Sequence, residues 1–265
     1  MSLEQLETVT PLVGMVHLPA LPGAPEFEDR ETVRERALAD ARTLDDVGVD
    51  ALIVENFGDA PFYPEDVPSH TVAEMTAVTQ AVADAVDCPI GVNVLRNDGA
   101  AAVSVAAAAG ADFVRVNVHT GARLTDQGIV EGRAHETVRL RDRLDADVAI
   151  LADVAVKHSA PLADQSVATL VADTIERGHA DGVVVSGPST GATTDVPDVE
   201  AIAAARDAVD PTVPVFVGSG VTSDTAPSLL ETADGLIVGT ALKRDGAVEH
   251  SVDPERAAEL VAAVH

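Results

Sequence analysis

Six polar side chains recur at the downstream ends of five successive apolar runs: His17, Glu55, Asn93, Arg115, Asn117 and Asp153. A carboxylate in a crowded interior has its proton affinity set by its neighbours, so Glu55 and Asp153 are the acid–base candidates, with Arg115 as a tuning charge. Arg115, Asn93 and Asn117 are the donors that could hold substrate hydroxyls or a developing enolate. His17 reads as a general acid, as a metal ligand or as a hydrogen-bonded histidine at a loop edge. The same residues offer an alternative, a divalent ion held by His17, Glu55 and Asp153. No His-x-x-x-His or cysteine-pair spacing reinforces it. Lys157 is one of only two lysines against fifteen arginines. A lysine kept in such a chain suggests a deprotonatable base, an imine-forming nucleophile or a compact phosphate contact, with a solvated loop residue as the plain alternative.

Two glycine turns follow late apolar runs, Gly218-Ser219-Gly220-Val221-Thr222 and Gly239-Thr240-Ala241-Leu242-Lys243. Glycine lets the backbone approach an anion, and a helix start after the turn aims free N–H groups at it. The pair therefore reads as a phosphate grip, with Lys243 as a further contact. Ser186-Gly187-Pro188-Ser189-Thr190-Gly191 adds hydroxyls nearby and reads as a third arm of that grip or as a lid.

The elements that must carry these residues are regular. Apolar runs of strand length lie at 12–18, 51–55, 90–95, 113–118, 148–154, 182–186, 215–218 and 235–239. Helical spacing fills 31–47, 71–86, 98–109, 132–144, 162–177, 197–208, 223–231 and 253–264, with Asp98, Ser223 and Asp253-Pro254 as expected starts. Short lead-in phrases recur before strands: Gly48-Val49-Asp50, Gly110-Ala111-Asp112, His179-Ala180-Asp181 and Ala233-Asp234-Gly235. Eight strand–helix units over residues 1–265 predict a single-domain α/β protein, a (β/α)8 TIM barrel with phosphate-binding loops after strands 7 and 8. A doubly wound sheet is the alternative. Alternate strand residues then face the lumen, which places the six polar residues at the mouth while Val16, Leu52, Val54, Val92, Val114 and Ile150 face the helices. A polar plug without a task is the other reading of that ring.

Composition bounds the partners. The formal charge is −27, from 44 acidic and 17 basic residues, and 27 of the acids are aspartate. Such a surface repels nucleic acid and anionic lipid. The acids are spread along the chain, which fits adaptation to a salt-filled cytoplasm better than an acidic interaction tail. The single Cys88 excludes an internal disulfide and reads as a small core residue. No signal peptide or membrane-spanning run is visible, so a cytoplasmic protein is expected, and homo-oligomerisation is left open.

Taken in order, Val13-Gly-Met-Val-His-Leu-Pro-Ala-Leu-Pro-Gly23, Val54-Glu-Asn-Phe-Gly-Asp59, Gly91-Val-Asn-Val-Leu-Arg-Asn97, Val114-Arg-Val-Asn117, Ala152-Asp-Val-Ala-Val-Lys-His158 and Ser186-Gly-Pro-Ser-Thr-Gly191 resemble the BtpA family, known also through the SgcQ proteins. The resemblance spans essentially the whole chain and looks haloarchaeal. It implies a barrel of the ribulose-phosphate-binding type. Within the family one branch is named for photosystem I biogenesis, another lies among sugar-utilisation genes, and a nucleotide-hydrolase label exists. No catalytic residue is carried over from it. Three functions follow as expectations: isomerisation or aldol-type chemistry on a small phosphorylated metabolite such as a sugar phosphate, metal-dependent hydrolysis of a phosphorylated or nucleotide substrate, and a non-catalytic assembly factor.

Overall fold

A computed structural model describes residues 10–155, 158–187 and 194–265 of the chain. Eight parallel strands close into a barrel: β1 (Leu12–His17), β2 (Ala51–Glu55), β3 (Ile90–Asn93), β4 (Phe113–Val116), β7 (Ala149–Ala155), β9 (Gly182–Val185), β10 (Val215–Val217) and β11 (Gly235–Val238). Between and after them run α1 (Arg30–Asp46), α2 (Ser69–Ala83), α3 (Gly99–Ala109), α4 (Ala134–Arg143), α5 (Val167–Ala172), α6 (Val196–Val209), α7 (Ala226–Leu229) and α8 (Pro254–Val264). β1 pairs with both β2 and β11, so the barrel itself leaves no strand edge open.

The two faces of the strands form separate apolar clusters. Val13, Met15, Ile53, Phe113, Leu151, Val184, Phe216 and Ile237 fill the lumen. Val16, Leu52, Val54, Val92, Val114, Ile150, Val183 and Val217 lie under the helices. This is the alternation expected when a pleated strand is buried on both sides.

The lead-in aspartates have a clear task at the bottom of the barrel. The carboxylates of Asp50, Asp112, Asp181 and Asp234 accept from the N–H of Leu12, Ile90, Ile150 and Val215 at 2.8 to 2.9 Å. The N–H of each aspartate returns a bond to the carbonyl of the same residue, at 2.7 to 2.9 Å. Each pair satisfies main-chain groups at a strand start that would otherwise be buried without a partner, where a single net bond contributes about 1 kcal/mol.

Three details depart from the sequence reading. The segment after the fourth strand is not a plain loop: β5 (Ala122–Thr125) and β6 (Gly128–Glu131) form a hairpin, and β8 (Ser159–Pro161) joins β5 to make a three-stranded antiparallel sheet. That pairing delays the fifth helix from 162 to Val167. Ser223 does not start a helix. Its hydroxyl donates to Glu259, and α7 is a single turn that begins at Ala226. Asp98 and Asp253 do cap α3 and α8 through their side chains, as expected.

Candidate functional site

Asp153 lies near the end of β7 and accepts four hydrogen bonds. Arg115 from β4 grips it bidentately, Nε to Oδ1 at 2.8 Å and Nη2 to Oδ2 at 2.9 Å. Asn117 Nδ2 donates to Oδ2 at 3.1 Å and Ser186 Oγ at 3.4 Å. Asn93 completes the network, donating to the Arg115 carbonyl at 2.9 Å and to Asn117 Oδ1 at 3.3 Å. The ion pair is buried from both sides, its side chains 3% and 0% exposed. Burial alone would lower the proton affinity of Arg115, but the charge and bonds of Asp153, with help from Glu55, outweigh it and hold the guanidinium above its ordinary range. Asp153 is therefore an anchor for a permanent cation, its carboxylate oxygens engaged by donors of the protein itself.

His17 and Glu55 form the second cluster. β1 and β2 pair in register at these two residues, which brings His17 Nε2 within 3.6 Å of Glu55 Oε1. The imidazole is held against Phe57, ring centroids 4.8 Å apart. Both residues are buried. The alternative of His17, Glu55 and Asp153 gathered around one divalent ion is not assembled. Asp153 is engaged by Arg115, and among the described residues no group of three His, Cys, Asp or Glu converges.

Both glycine turns line one cavity of about 210 Å³, with Met15, His17 and Arg115 at its floor. Gly218, Ser219 and Gly220 form one wall and Gly239 and Thr240 the other. Gly220 has φ +70°, a conformation that suits glycine. At Gly239 a Cβ would stand 2.7 Å from His17 Cε1, so the glycine is what lets the imidazole lie against the turn. The amides of Gly220, Thr240 and Ala241 make no hydrogen bond to another described residue, and Thr240 opens a single 3-10 turn, Thr240–Leu242. Thr194 ties the Ser219 carbonyl back to the loop after β9 at 3.1 Å.

Lys243 is not a phosphate contact. Its side chain is wholly buried on the helix side of the barrel, where Nζ meets Asp40 Oδ2 of α1 at 2.7 Å. Asp40 also takes the Val252 N–H at 2.8 Å, so these two bonds clamp α1 to the loop before α8, while Arg36 of the same helix donates to Asp40 at 3.2 Å. The 3-10 turn rotates the chain and carries Lys243 to the back. The cation that joins Arg115 at the cavity is instead Arg256, on the first turn of α8, whose Nε donates to the Ala241 carbonyl at 2.9 Å.

Ser186 and Gly187 are buried beside these walls, and the single Ser186 hydroxyl proton is shared between Asp153 and the nearer Gly218 carbonyl, at 2.8 Å. Lys157 and residues 188–193, including Pro188 to Gly191, lie outside the described residues. Two asparagines extend the sheet where the strands splay at the mouth. Asn56 accepts from the Leu95 N–H at 2.7 Å and donates to its carbonyl at 3.4 Å. Asn97 does the same with Val118, at 2.7 and 2.9 Å. A carboxamide carries the donor and acceptor of a peptide group, so each adds one rung to the ladder. His119, below the hairpin, bonds the Gly178 carbonyl at 2.8 Å, and burial pulls its proton affinity below the ordinary histidine value.

A family model described as the BtpA family matches residues 8–265. The chain is 52% identical over 252 residues to an uncharacterised protein of Thermococcus kodakarensis, covering 95% of this chain and 94% of that one. It is 44% identical over 262 residues to the photosystem I biogenesis protein BtpA of Synechocystis, covering 98% and 90%. Among solved structures, thiamine phosphate pyrophosphorylase from Pyrococcus furiosus superimposes with a TM-score of 0.59 at 17% identity, over 98% of this chain and 96% of that one. At that identity the likeness speaks for the barrel alone.

Proposed function

This chain belongs to the BtpA family, and from that footing we propose that it is an enzyme acting on a small phosphorylated metabolite, a sugar phosphate, by proton transfer next to a carbonyl. The observation that carries this reading is the shared cavity: two glycine turns, the amides of Gly220, Thr240 and Ala241 and the Arg256 guanidinium on its walls, and His17 and Arg115 on its floor. A dianion fits a cradle of amides and one arginine without desolvating a buried charge. His17 and Glu55 then stand one contact away to take a proton from the carbon beside the carbonyl and return one to its neighbour. Arg115, locked by Asp153, would stabilise the charge that gathers on the carbonyl oxygen during that transfer.

We read the surface acidity as adaptation to high salt, which fixes the assay buffer. In molar KCl, a thermal-shift screen of sugar phosphates should find binders. A ligand at a hundred times its dissociation constant adds about 2.7 kcal/mol to stability. Arg256→Ala should abolish those shifts. His17→Asn and Glu55→Gln should keep them but stop exchange of the substrate carbon-bound proton with deuterated solvent. Exchange that continues unchanged in both variants would sink the proton-transfer reading.

A second reading rests on the Synechocystis relative, named for photosystem I biogenesis. It would make the barrel an assembly factor. Under it, partners captured by the wild type would be captured equally by the Glu55→Gln variant.

A further inference from the structure

The Arg115–Asp153 pair is a partition between two cavities. Arg115 lines the 210 Å³ cavity with the glycine turns, and Asp153 lines a second cavity of about 410 Å³ on the other side of the mouth. The second cavity runs under the β5–β6 hairpin, between the end of β7 and α5. The hairpin covers it in a specific orientation. Leu124 and Ile129 pair on the outer face and are half exposed, whereas Arg123 pairs with Val130, which is fully buried. Arg123 thus belongs to the inner face and lines the cavity.

The surroundings of Arg123 are unusual in a chain so rich in acid. Among the arginines shielded from solvent, Arg36, Arg115, Arg133, Arg141 and Arg206 each have a carboxylate within 4 Å, whereas Arg34, Arg42, Arg139, Arg143, Arg244 and Arg256, for which none is found among the described residues, are exposed. Arg123 has none among the described residues, although it is partly sheltered from solvent. Its one described side-chain bond runs from Nε to Ser159 Oγ of β8 at 2.6 Å, which fixes the plane of the guanidinium and leaves both Nη groups for another acceptor. Burial pulls its proton affinity down, with no neighbouring charge offsetting it. A half-buried cation held in place by a neutral hydroxyl, in a protein of charge −27, is a cost to folding unless an anion completes it.

We propose that the substrate carries two anionic groups, one held by the glycine turns and Arg256 and the other, a carboxylate or second phosphate, held by Arg123 on the far side of the Arg115–Asp153 partition. This rests on the phosphate reading above and narrows its substrate class. The carbon skeleton would then lie over Arg115, with its two ends in the two cavities. The repulsion that an acidic surface exerts on such a ligand is screened by the salt the protein works in.

The test uses three open-chain probes of equal length: glucitol 6-phosphate, 6-phosphogluconate and glucitol 1,6-bisphosphate, titrated calorimetrically into the whole protein in molar KCl. The wild type should bind one or both doubly charged probes at least about tenfold more tightly than glucitol 6-phosphate, the gain expected of one hydrogen bond to a charged group. Which of the two gains more separates a carboxylate from a second phosphate. Arg123→Gln should erase that gain and leave glucitol 6-phosphate unchanged, while Arg256→Ala should weaken all three alike. Arg123→Lys, which keeps the charge, should retain part of the gain and thereby exclude a collapsed hairpin as the cause. Equal affinity for all three probes, undisturbed by Arg123→Gln, would overturn the second anion site and leave the phosphate cradle standing. Absence of binding by every probe would overturn both.

Discussion

Replacing Asp153 with asparagine changes almost no volume but inverts half of a fully buried ion pair. The new amide must point at a donor, since all four of the Asp153 bonds come from N–H or O–H groups. Arg115 meanwhile loses the one carboxylate it touches among the described residues. Breaking a buried pair on one side costs about 3–5 kcal/mol. For a domain of this size each kcal/mol moves Tm by about 2–4 °C, so Asp153→Asn should melt about 6–20 °C below the wild type. Salt reaches a buried pair weakly, so the loss should persist from 1 to 4 M KCl. The double replacement Arg115→Met, Asp153→Leu should recover most of the stability, because the charge left behind is what hurts. Asn117 still loses an acceptor, which leaves a deficit of about 1–2 kcal/mol. Scanning calorimetry with sugar-phosphate titration reads both. A drop of less than about 3 °C in the single variant would refute the buried pair as the stability account. A double variant that still turns over substrate would show the ring of polar residues to be a plug and refute its place in the site.

Three further outcomes are expected. Lys243→Met should cost about 3 kcal/mol in guanidinium denaturation, the low end for a broken buried pair because Asp40 keeps Val252 and Arg36, and should leave ligand affinity unchanged. Gly239→Ala drives a methyl into His17 Cε1 and should lower kcat about a hundredfold by displacing the imidazole, with KM little altered; steady-state kinetics checks the split. His119 is neutral in the fold because burial depresses its pKa from 6.5, so the unfolded chain binds the extra proton first. Its contribution therefore lowers stability as pH falls from 6.5 toward the folded-state value, and His119→Gln, which can still donate to Gly178, should flatten that slope in pH-dependent melting.

The barrel and the lumen-facing residues were legible because period-two alternation survives in every strand, and parity alone separates Arg115 from Val114 and Asp153 from Ala152. Parity stops at the strand end. Lys243 lies past that point, one 3-10 turn beyond β11, and its partner Asp40 is 203 residues earlier in the chain. Nothing local distinguishes it from a lysine aimed at a phosphate. Arg256 was hidden for the opposite reason: it looks like any arginine on the exposed side of a helix, and only the return of α8 over the Thr240 turn brings it to the cavity. The hairpin of Ala122 to Glu131 carries few apolar residues, so its strands read as loop until the Asp126-Gln127 turn and the Arg123–Val130 pairing are seen in space. Asp153 was identified as a candidate base, but the three side chains that occupy it come from the ends of two other strands, Arg115 and Asn117 from the fourth and Ser186 from the sixth.

The lead-in aspartates divide the barrel in a way the backbone ladder does not. Asp50 stitches β2 to β1, Asp112 stitches β4 to β3, Asp181 stitches β9 to β7, and Asp234 stitches β11 to β10. Counted around the ring, these seams join the first strand to the second, the third to the fourth, the fifth to the sixth and the seventh to the eighth. None of the four closes a seam between one couple and the next. The chain is thus four clasped quarters of two strands each, and its tolerance to being cut should follow that grain. Circular permutants opened between quarters, at 84–89 or 210–214, keep every clasp on an unbroken stretch of chain. One opened at 47–50 separates Asp50 from Leu12 along the chain and must rebuild that clasp between its two ends.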